Sequence, residues 1–329
     1  MTNIYINDKV LKNFVLLYMI KENWRKWAVL EGLMKTASSS FQKIAGSASS
    51  NFAGTLLVAG IIGLTQVIFA LTYLLIKKEG LLIDRKGIFG SMLFGLVAFS
   101  STVFGIITFL KGGDVSVNTF IITLSIVPGM IIDIVFFKYK PRNQEWLGMI
   151  IAIIAGWAVL NFPTTNIKSL PTWVCFSFGN MLCLSINQGI SQKIKNISPM
   201  FKNFWGGMVA LILATTVIIL IGRSSLFLSF TDNKILWFTS ALIGLIVIAM
   251  WSFNLLSYRD GASIALKKLV MSSTYLLGAM LLGYIIFQEK ITIGKLVAIP
   301  LFAIAYVLMD RKAYDFIFTS TTKSEVHQI

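Results

Sequence analysis

Histidine is nearly absent from this 329-residue sequence: His327 is the only one, three residues from the end of a polar C-terminal stretch. A Ser-His-Asp triad, a Cys-His dyad and His-based metal sites are thereby excluded from the rest of the chain. Cysteine is almost as scarce. Cys175 and Cys183 stand eight residues apart in one apolar segment, about 12 Å along a helix and beyond disulfide reach, so they read as packing residues. Acidic residues number 14 against 29 lysines and arginines, which leaves little material for carboxylate-based catalysis or oxygen-rich metal sites. No Walker-type glycine-rich loop is present, so ATP does not drive the protein directly. Charge of both signs makes up only 13% of the chain, against 56% apolar residues and a mean hydropathy of +0.78. Soluble domains carry roughly 25% charged residues, so lipid rather than water solvates most of this chain.

What is present is a series of long apolar runs. Nine segments, near 51–76, 87–110, 117–137, 145–162, 170–190, 203–222, 234–257, 264–286 and 293–309, have the roughly 17–25 residues a transmembrane helix needs. They do not alternate, which excludes a β-barrel. The net charge of +15 sits in short groups between the runs, such as Lys77-Lys78, Arg85-Lys86 and Arg311-Lys312. That is the pattern of cytoplasmic loops, not of a nucleic-acid-binding face. Sixteen basic residues fall on one side of a nine-span chain and six on the other, but the basic N-terminus would then face the wrong way. A tenth span over 28–47 removes the conflict and puts both termini in the cytoplasm. Glu31, Lys35 and Lys43 in that segment are tolerable if it lines a wet cavity. The alternative is an amphipathic interfacial helix followed by a Ser-rich linker. No cleavable signal peptide is visible.

The chain repeats at about 150 residues. Phe137-Lys138-Tyr139-Lys140 falls on Phe287-Gln288-Glu289-Lys290, each between two apolar runs. Lys111-Gly112-Gly113-Asp114-Val115-Ser116 resembles Tyr258-Arg259-Asp260-Gly261-Ala262-Ser263. Five helices per half is odd, so the second half must be inserted upside down, an architecture of secondary transporters. On these residues the chain resembles the drug/metabolite transporter superfamily, whose members carry two EamA-type repeats of five helices. The resemblance covers about residues 28–312. Tyr139 stands where the first repeat of that family usually has Glu. It implies an all-α polytopic membrane protein of ten helices in two inverted repeats. Residues 1–27 would form a cytoplasmic N-terminal segment, 28–162 and 163–312 the two repeats, and 313–329 a cytoplasmic tail. It also implies transport, and a bacterial inner membrane is the default location.

Polar residues on helical faces supply the candidate site. Asn180, Asn187 and Gln188 share one face of span six, and Trp251 and Asn254 one face of span eight with Tyr258. Each set reads either as a polar wall for substrate or as structure, through interhelical hydrogen bonds or an interfacial aromatic belt. Lys268, Ser272, Tyr275 and Ala279 share a face of span nine. Nucleotide-sugar and phosphorylated-sugar carriers of the superfamily have a phosphate-binding lysine on this helix. The turn Phe287-Gln288-Glu289-Lys290-Ile291-Thr292 resembles theirs, which implies that Lys268 attracts an anion. The other reading is that Lys267 and Lys268 snorkel to the cytoplasmic face. Asp133 is a candidate coupling site, or else a snorkelling residue paired with Lys138 or Tyr139. Gly148, Ala152 and Gly156 form a small-residue stripe suited to close helix packing; the resemblance implies that spans five and ten pack on the outside, where they can make a homodimer contact. Pro128 and Pro300 are expected to kink or loosen their helices. The expected function is secondary transport of a small polar metabolite across the bilayer, an anion where Lys268 binds it, with no cofactor and no metal. A membrane enzyme for phosphorylated or lipid-linked substrates and a non-transporting scaffold are the alternatives.

Overall fold

The computed structural model describes residues 23–49, 51–80, 85–159, 171–223 and 234–319. Most of the expected N-terminal segment, residues 163–170 and most of the tail, with His327, lie outside the described residues. Among the described residues there is no strand. In chain order the helices are α1 (Asn23–Ala48), α2 (Phe52–Lys77), α3 (Arg85–Leu110), α4 (Val115–Thr123), α5 (Ile126–Phe137), α6 (Asn143–Val159), α7 (Thr172–Lys193), α8 (Pro199–Leu220), α9 (Lys234–Arg259), α10 (Ile264–Phe287), α11 (Ile293–Met309) and the single turn α12 (Arg311–Tyr314). Among the described residues six spans, α2, α3, the α4–α5 pair, α8, α9 and α10, are long and apolar enough to cross a membrane. That is the make-up of a multi-pass α-helical membrane protein. Helices α6 and α11 are apolar but only 17 residues long. Helices α1 and α7 are long but carry many polar residues.

Small residues let the helices meet. Gly63 of α2 and Gly207 of α8 face each other so closely that a Cβ on either would come within 2.9 Å of the other's carbonyl oxygen. A Cβ on Gly95 of α3 would likewise come within 2.6 Å of the Gly206 carbonyl oxygen of α8, whereas one on Gly206 would meet only ordinary contacts. With no hydrophobic drive between helices in lipid, such close approach lets dispersion and hydrogen bonding hold the bundle. The stripe Gly148–Gly156 of α6 is used inside the molecule: Gly148 lies against Ala305, Leu308 and Met309 of α11, and Gly156 against Leu124.

Pro128 does break its span. Without an amide hydrogen it cannot satisfy the Leu124 carbonyl, which its ring also crowds. That carbonyl accepts from Val127 instead (3.0 Å), and the helix is interrupted at Leu124–Ser125 between α4 and α5. Pro300, by contrast, sits inside α11 without interrupting it.

Helix α1 packs lengthwise against α9, α10 and α3. The two halves interleave: α2 packs on α8, α6 on α11, α3 on α7, α1 on α9, and α10 on both α4 and α5. Arg25 of α1 and Asp310 after α11 form a buried ion pair of 3.2 Å, so the described chain begins and ends on one face of the bundle.

Among the described residues six adopt positive φ, each just after a helix. Lys78 (+53°) ends α2 and Gly222 (+68°) ends α8; Gly112 (+85°) ends α3 and Gly261 (+96°) ends α9; Lys138 (+55°) ends α5 and Gln288 (+53°) ends α10. Only the last pair is followed by a six-residue closing bond, Tyr139 N to Asp133 O (3.0 Å) and Glu289 N to Gly283 O (2.9 Å); the others close over five. At these last two turns carboxylates cap helices reciprocally. Asp133 Oδ2 of α5 accepts from Ala265 N at the start of α10 (2.9 Å). Glu289, just after α10, accepts from Val115 N (2.6 Å) and Ser116 N (3.1 Å) at the start of α4.

Candidate functional site

The interior of the bundle holds charge that the lipid-facing surface lacks. Lys202, Lys267 and Lys268 are fully buried, Lys35 is 7% exposed and Glu31 1%. They come from three parts of the chain: Glu31 and Lys35 from α1, Lys202 from the first turn of α8, Lys267 and Lys268 from the start of α10. Burying an ion in low dielectric costs several kcal/mol unless other groups replace its water. The protein does this unevenly.

Glu31 and Lys267 pair at 2.5 Å. Lys267 also donates to Gln188 Oε1 (2.6 Å), which receives Tyr258 OH (2.5 Å) and Asn254 Nδ2 (2.8 Å) as well. Asn254 Nδ2 in addition reaches Glu31 Oε1 (3.2 Å). Lys202 donates to Trp251 O (3.0 Å), Asn254 Oδ1 (3.4 Å) and Ser191 Oγ (3.5 Å). Its ammonium also lies 4.4 Å from the centre of the Phe94 ring and 5.6 Å from that of Trp251, an arrangement that solvates a cation with π electrons.

Lys268 reaches one acceptor, Ser125 Oγ at 2.9 Å, at the break that Pro128 opens. Lys35 lies over the Tyr275 ring at 5.2 Å and has no oxygen partner among the described residues. It borders a small pocket lined on one side by Ser38, Ser39, Gln42, Ser101 and Asn180 and on the other by Ile122, Leu184, Val247, Met250 and Trp251. The Tyr275 hydroxyl is held by Ser39 at 2.5 Å. Ser272 Oγ, one turn beyond Lys268, is buried without a partner.

The residues singled out from sequence thus separate into groups. Asn180 and Trp251 line the pocket beside Lys35, with Tyr275 behind it; Asn180 Oδ1 accepts from Ser101 (2.6 Å). Gln188 and Asn254 knit the Glu31–Lys267 pair. Lys268 and Ser272 lie on the α10 face toward the α4–α5 break. Neither Lys267 nor Lys268 snorkels, because both side chains point into the bundle. Trp251 and Tyr258 are buried, so they form no interfacial belt. Asn187 stands apart: its amide bridges Phe94 O and Ala98 N of α3, at 3.2 Å each, and holds α7 to α3. Asp133 is buried and caps α10 rather than pairing with Lys138 or Tyr139.

Lys202 went unrecognised in the sequence because it precedes the apolar run at 203 and reads as a loop cation. The helix starts earlier, at Pro199, and turns Lys202 inward on the same face as Gly206. Its i, i+4 spacing to that glycine was the available signal.

A second polar cluster lies at the far end, around the α10–α11 turn. Lys43 Nζ meets Glu289 Oε1 at 2.7 Å, Ser116 Oγ donates to Glu289 Oε2 (2.6 Å), and Lys295 Nζ donates to Ser116 Oγ (2.6 Å). Burial pushes the Glu289 carboxyl up, but the hydrogen bonds from Lys43, Ser116 and two backbone amides outweigh it and hold it below its ordinary value. Neighbouring Asp114 is raised by burial and by the nearby Glu289 charge. Among the described residues no three His, Cys, Asp or Glu side chains converge as metal ligands.

No family model matches the chain, and no curated protein matches it. Twenty-eight chains of solved structures do. One, described only as "Crystal structure of protein", is 13% identical over 87% of this chain and 98% of its own, with a TM-score of 0.59. At that identity the likeness shows a shared fold and no more.

Proposed function

We propose that the protein is a secondary transporter that moves a small polar anion by alternating access, its ten helices crossing the membrane as two inverted five-helix repeats. The α4–α5 pair counts as one of the ten. Support for the repeat comes from the matched helix ends, the reciprocal caps of α4 and α10, and packing pairs that exchange when the halves are exchanged. Helix α1, 26 residues and about 39 Å long, suits the first span, with its charges facing the interior. The basic turns and both chain ends then share the cytoplasmic face. The broken span at Leu124–Ser125 resembles the discontinuous helices that line transport sites at the membrane midplane.

One observation carries the choice of an anion: Lys35 and Lys268 are buried cations whose donors the protein leaves largely unused. An anionic ligand would complete both. The test is counterflow into sealed liposomes against small metabolites of each charge. Saturable flux of an anion is expected, and Lys35→Gln or Lys268→Gln is expected to lower it at least about tenfold, a loss of roughly 1.4 kcal/mol of binding. Preference for a cation would overturn the assignment. Product formation in detergent, with no compartments, would favour an enzyme, and neither result a scaffold.

A further inference from the structure

The ion pair of Glu31 and Lys267 belongs to a hydrogen-bonded layer that crosses the bundle. Glu31 comes from α1, Gln188 from α7, Lys202 from α8, Asn254 and Tyr258 from α9, and Lys267 from α10. Lys267 and Asn254 donate to Glu31, Lys267, Asn254 and Tyr258 to Gln188, and Lys202 to Asn254. All six side chains are at most 1% exposed. Glu31 is the member from the first half of the chain; the other five belong to the second.

The layer has a defined depth. Trp27 Nε1 donates to Asp260 Oδ2 (2.9 Å) and Arg259 Nη2 to Ile197 O (2.6 Å). The start of α1, the end of α9 and the α7–α8 turn therefore meet at the basic face that holds Arg25 and Asp310. Gln188, Lys202, Tyr258 and Lys267 stand within about two turns of the ends of their helices at this face. The pocket beside Lys35 lies deeper. Ser39 and Asn180 on its wall are eight residues, about 12 Å, beyond Glu31 and Gln188 along α1 and α7. There exposure returns, for Gln42 and Thr102 on the pocket's border are partly exposed. The layer thus stands between the pocket and the basic face.

A charged layer suits a barrier that opens. A buried ion pair loses in dehydration much of what it gains in attraction, so parting it into water has a small net cost. A packed apolar layer of the same area would favour closure more strongly, because opening would wet it. Switching requires two arrangements close in free energy.

We infer that the Glu31–Lys267 pair is the gate of the pocket on the basic face. Paired, it closes the pocket to that face and leaves it open to the other; parting it reverses the access. The inference rests on the transporter reading for the movement between these states, but its readout is access rather than flux.

With Cys175 and Cys183 replaced by Ser, Thr102→Cys places a single thiol at the pocket. Its reaction with membrane-impermeant sulfonatoethyl methanethiosulfonate is timed in sealed right-side-out and inside-out membrane vesicles. With the pair intact, the thiol is expected to react at least about tenfold faster from the face opposite the basic turns. Glu31→Gln leaves Lys267 without its counter-charge, and reaction from the basic face is expected to rise at least about tenfold. A pair that only holds the fold together would lower the melting temperature of Glu31→Gln and leave the side preference unchanged, which overturns the inference. With the pair intact, equal reaction from both faces, preference for the basic face or no reaction at all also overturns it; this measurement carries the test if Glu31→Gln does not fold. A preference that follows the pair, without counterflow of any metabolite, overturns transport and leaves the gate standing. Counterflow without the preference overturns the gate and leaves transport standing.

Discussion

Lys202 is the residue whose role changes most between sequence and structure. Its ammonium occupies the junction of α3, α7, α8 and α9; truncation leaves the Asn254 side-chain oxygen without its Lys202 donor and opens a cavity against Phe94 and Trp251. Lys202→Ala is therefore expected to cost about 3 kcal/mol of stability, most of it from the cavity. Lys202→Met keeps the volume against Phe94 and Trp251 and is expected to cost less than about 1.5 kcal/mol. Unfolding in mixed micelles measures both, and equal losses would show that the charge rather than the packing matters. Asn187 makes a simpler case. Asn187→Leu removes its bridge to α3, which is expected to lower stability by about 1 kcal/mol without altering anion binding. The sequence offered Asn180, Asn187 and Gln188 as one polar face, and that face is real. Which amide serves the pocket, which the ion pair and which a neighbouring backbone depends on three different helices packed around α7, which no spacing within span six encodes.

At the scale of elements, the two capped turns are the devices most open to test. The Glu289 cap has an ion pair, two amides and a hydroxyl, whereas Asp133 engages the start of α10 with backbone bonds alone. Glu289→Gln is expected to cost about 2 kcal/mol, the scale of a lost charge-assisted hydrogen bond. The pH dependence has a defined sign. The folded Glu289 carboxyl titrates below its ordinary value of 4.5, so its stabilising share is present above that value and lost as pH falls through the lower folded one. Asp114, raised from 3.8, acts oppositely: its share is present below 3.8 and lost as pH rises through the raised value. Melting temperatures of the unaltered chain and Glu289→Gln between neutral and acid pH should converge as pH drops below 4.5. Parallel curves would show that the carboxylate charge is not what the turn uses. Pro128 is the complementary case, because its effect was legible in the chain: a proline forbids the Leu124 bond wherever its helix goes. Pro128→Ala is expected to close the break, raise stability and lower flux.

For the whole molecule, inversion of the repeats makes a topological prediction. After Cys175 and Cys183 are replaced by Ser, single cysteines at the exposed positions Lys78 and Lys138 should label from one side of the membrane. Those at Lys111 and Lys290, also exposed, should label only from the other. Labelling of Lys78→Cys and Lys290→Cys from the same side would remove the inverted arrangement. The exposed apolar side chains fit this setting: Ile76, Phe136, Leu220, Phe238 and Ile293 are each more than 70% exposed, tolerable in lipid and costly in water.

The all-helical membrane character was determined by the sequence alone, because the cost of unpaired backbone in lipid leaves few options for apolar runs of this length. So were the break at Pro128 and the basic turns, which follow from local bonding and from charge. The burial of Lys267 and Lys268 together, the pairing of Glu31 with Lys267, and the inward turn of Lys202 were decided only by tertiary structure. A lysine at the end of an apolar run is the same three-letter word whether it snorkels to water or points at a carboxylate. The difference lies in what neighbouring helices place around it, and here those neighbours are as far apart in the chain as Glu31, Gln188 and Asn254.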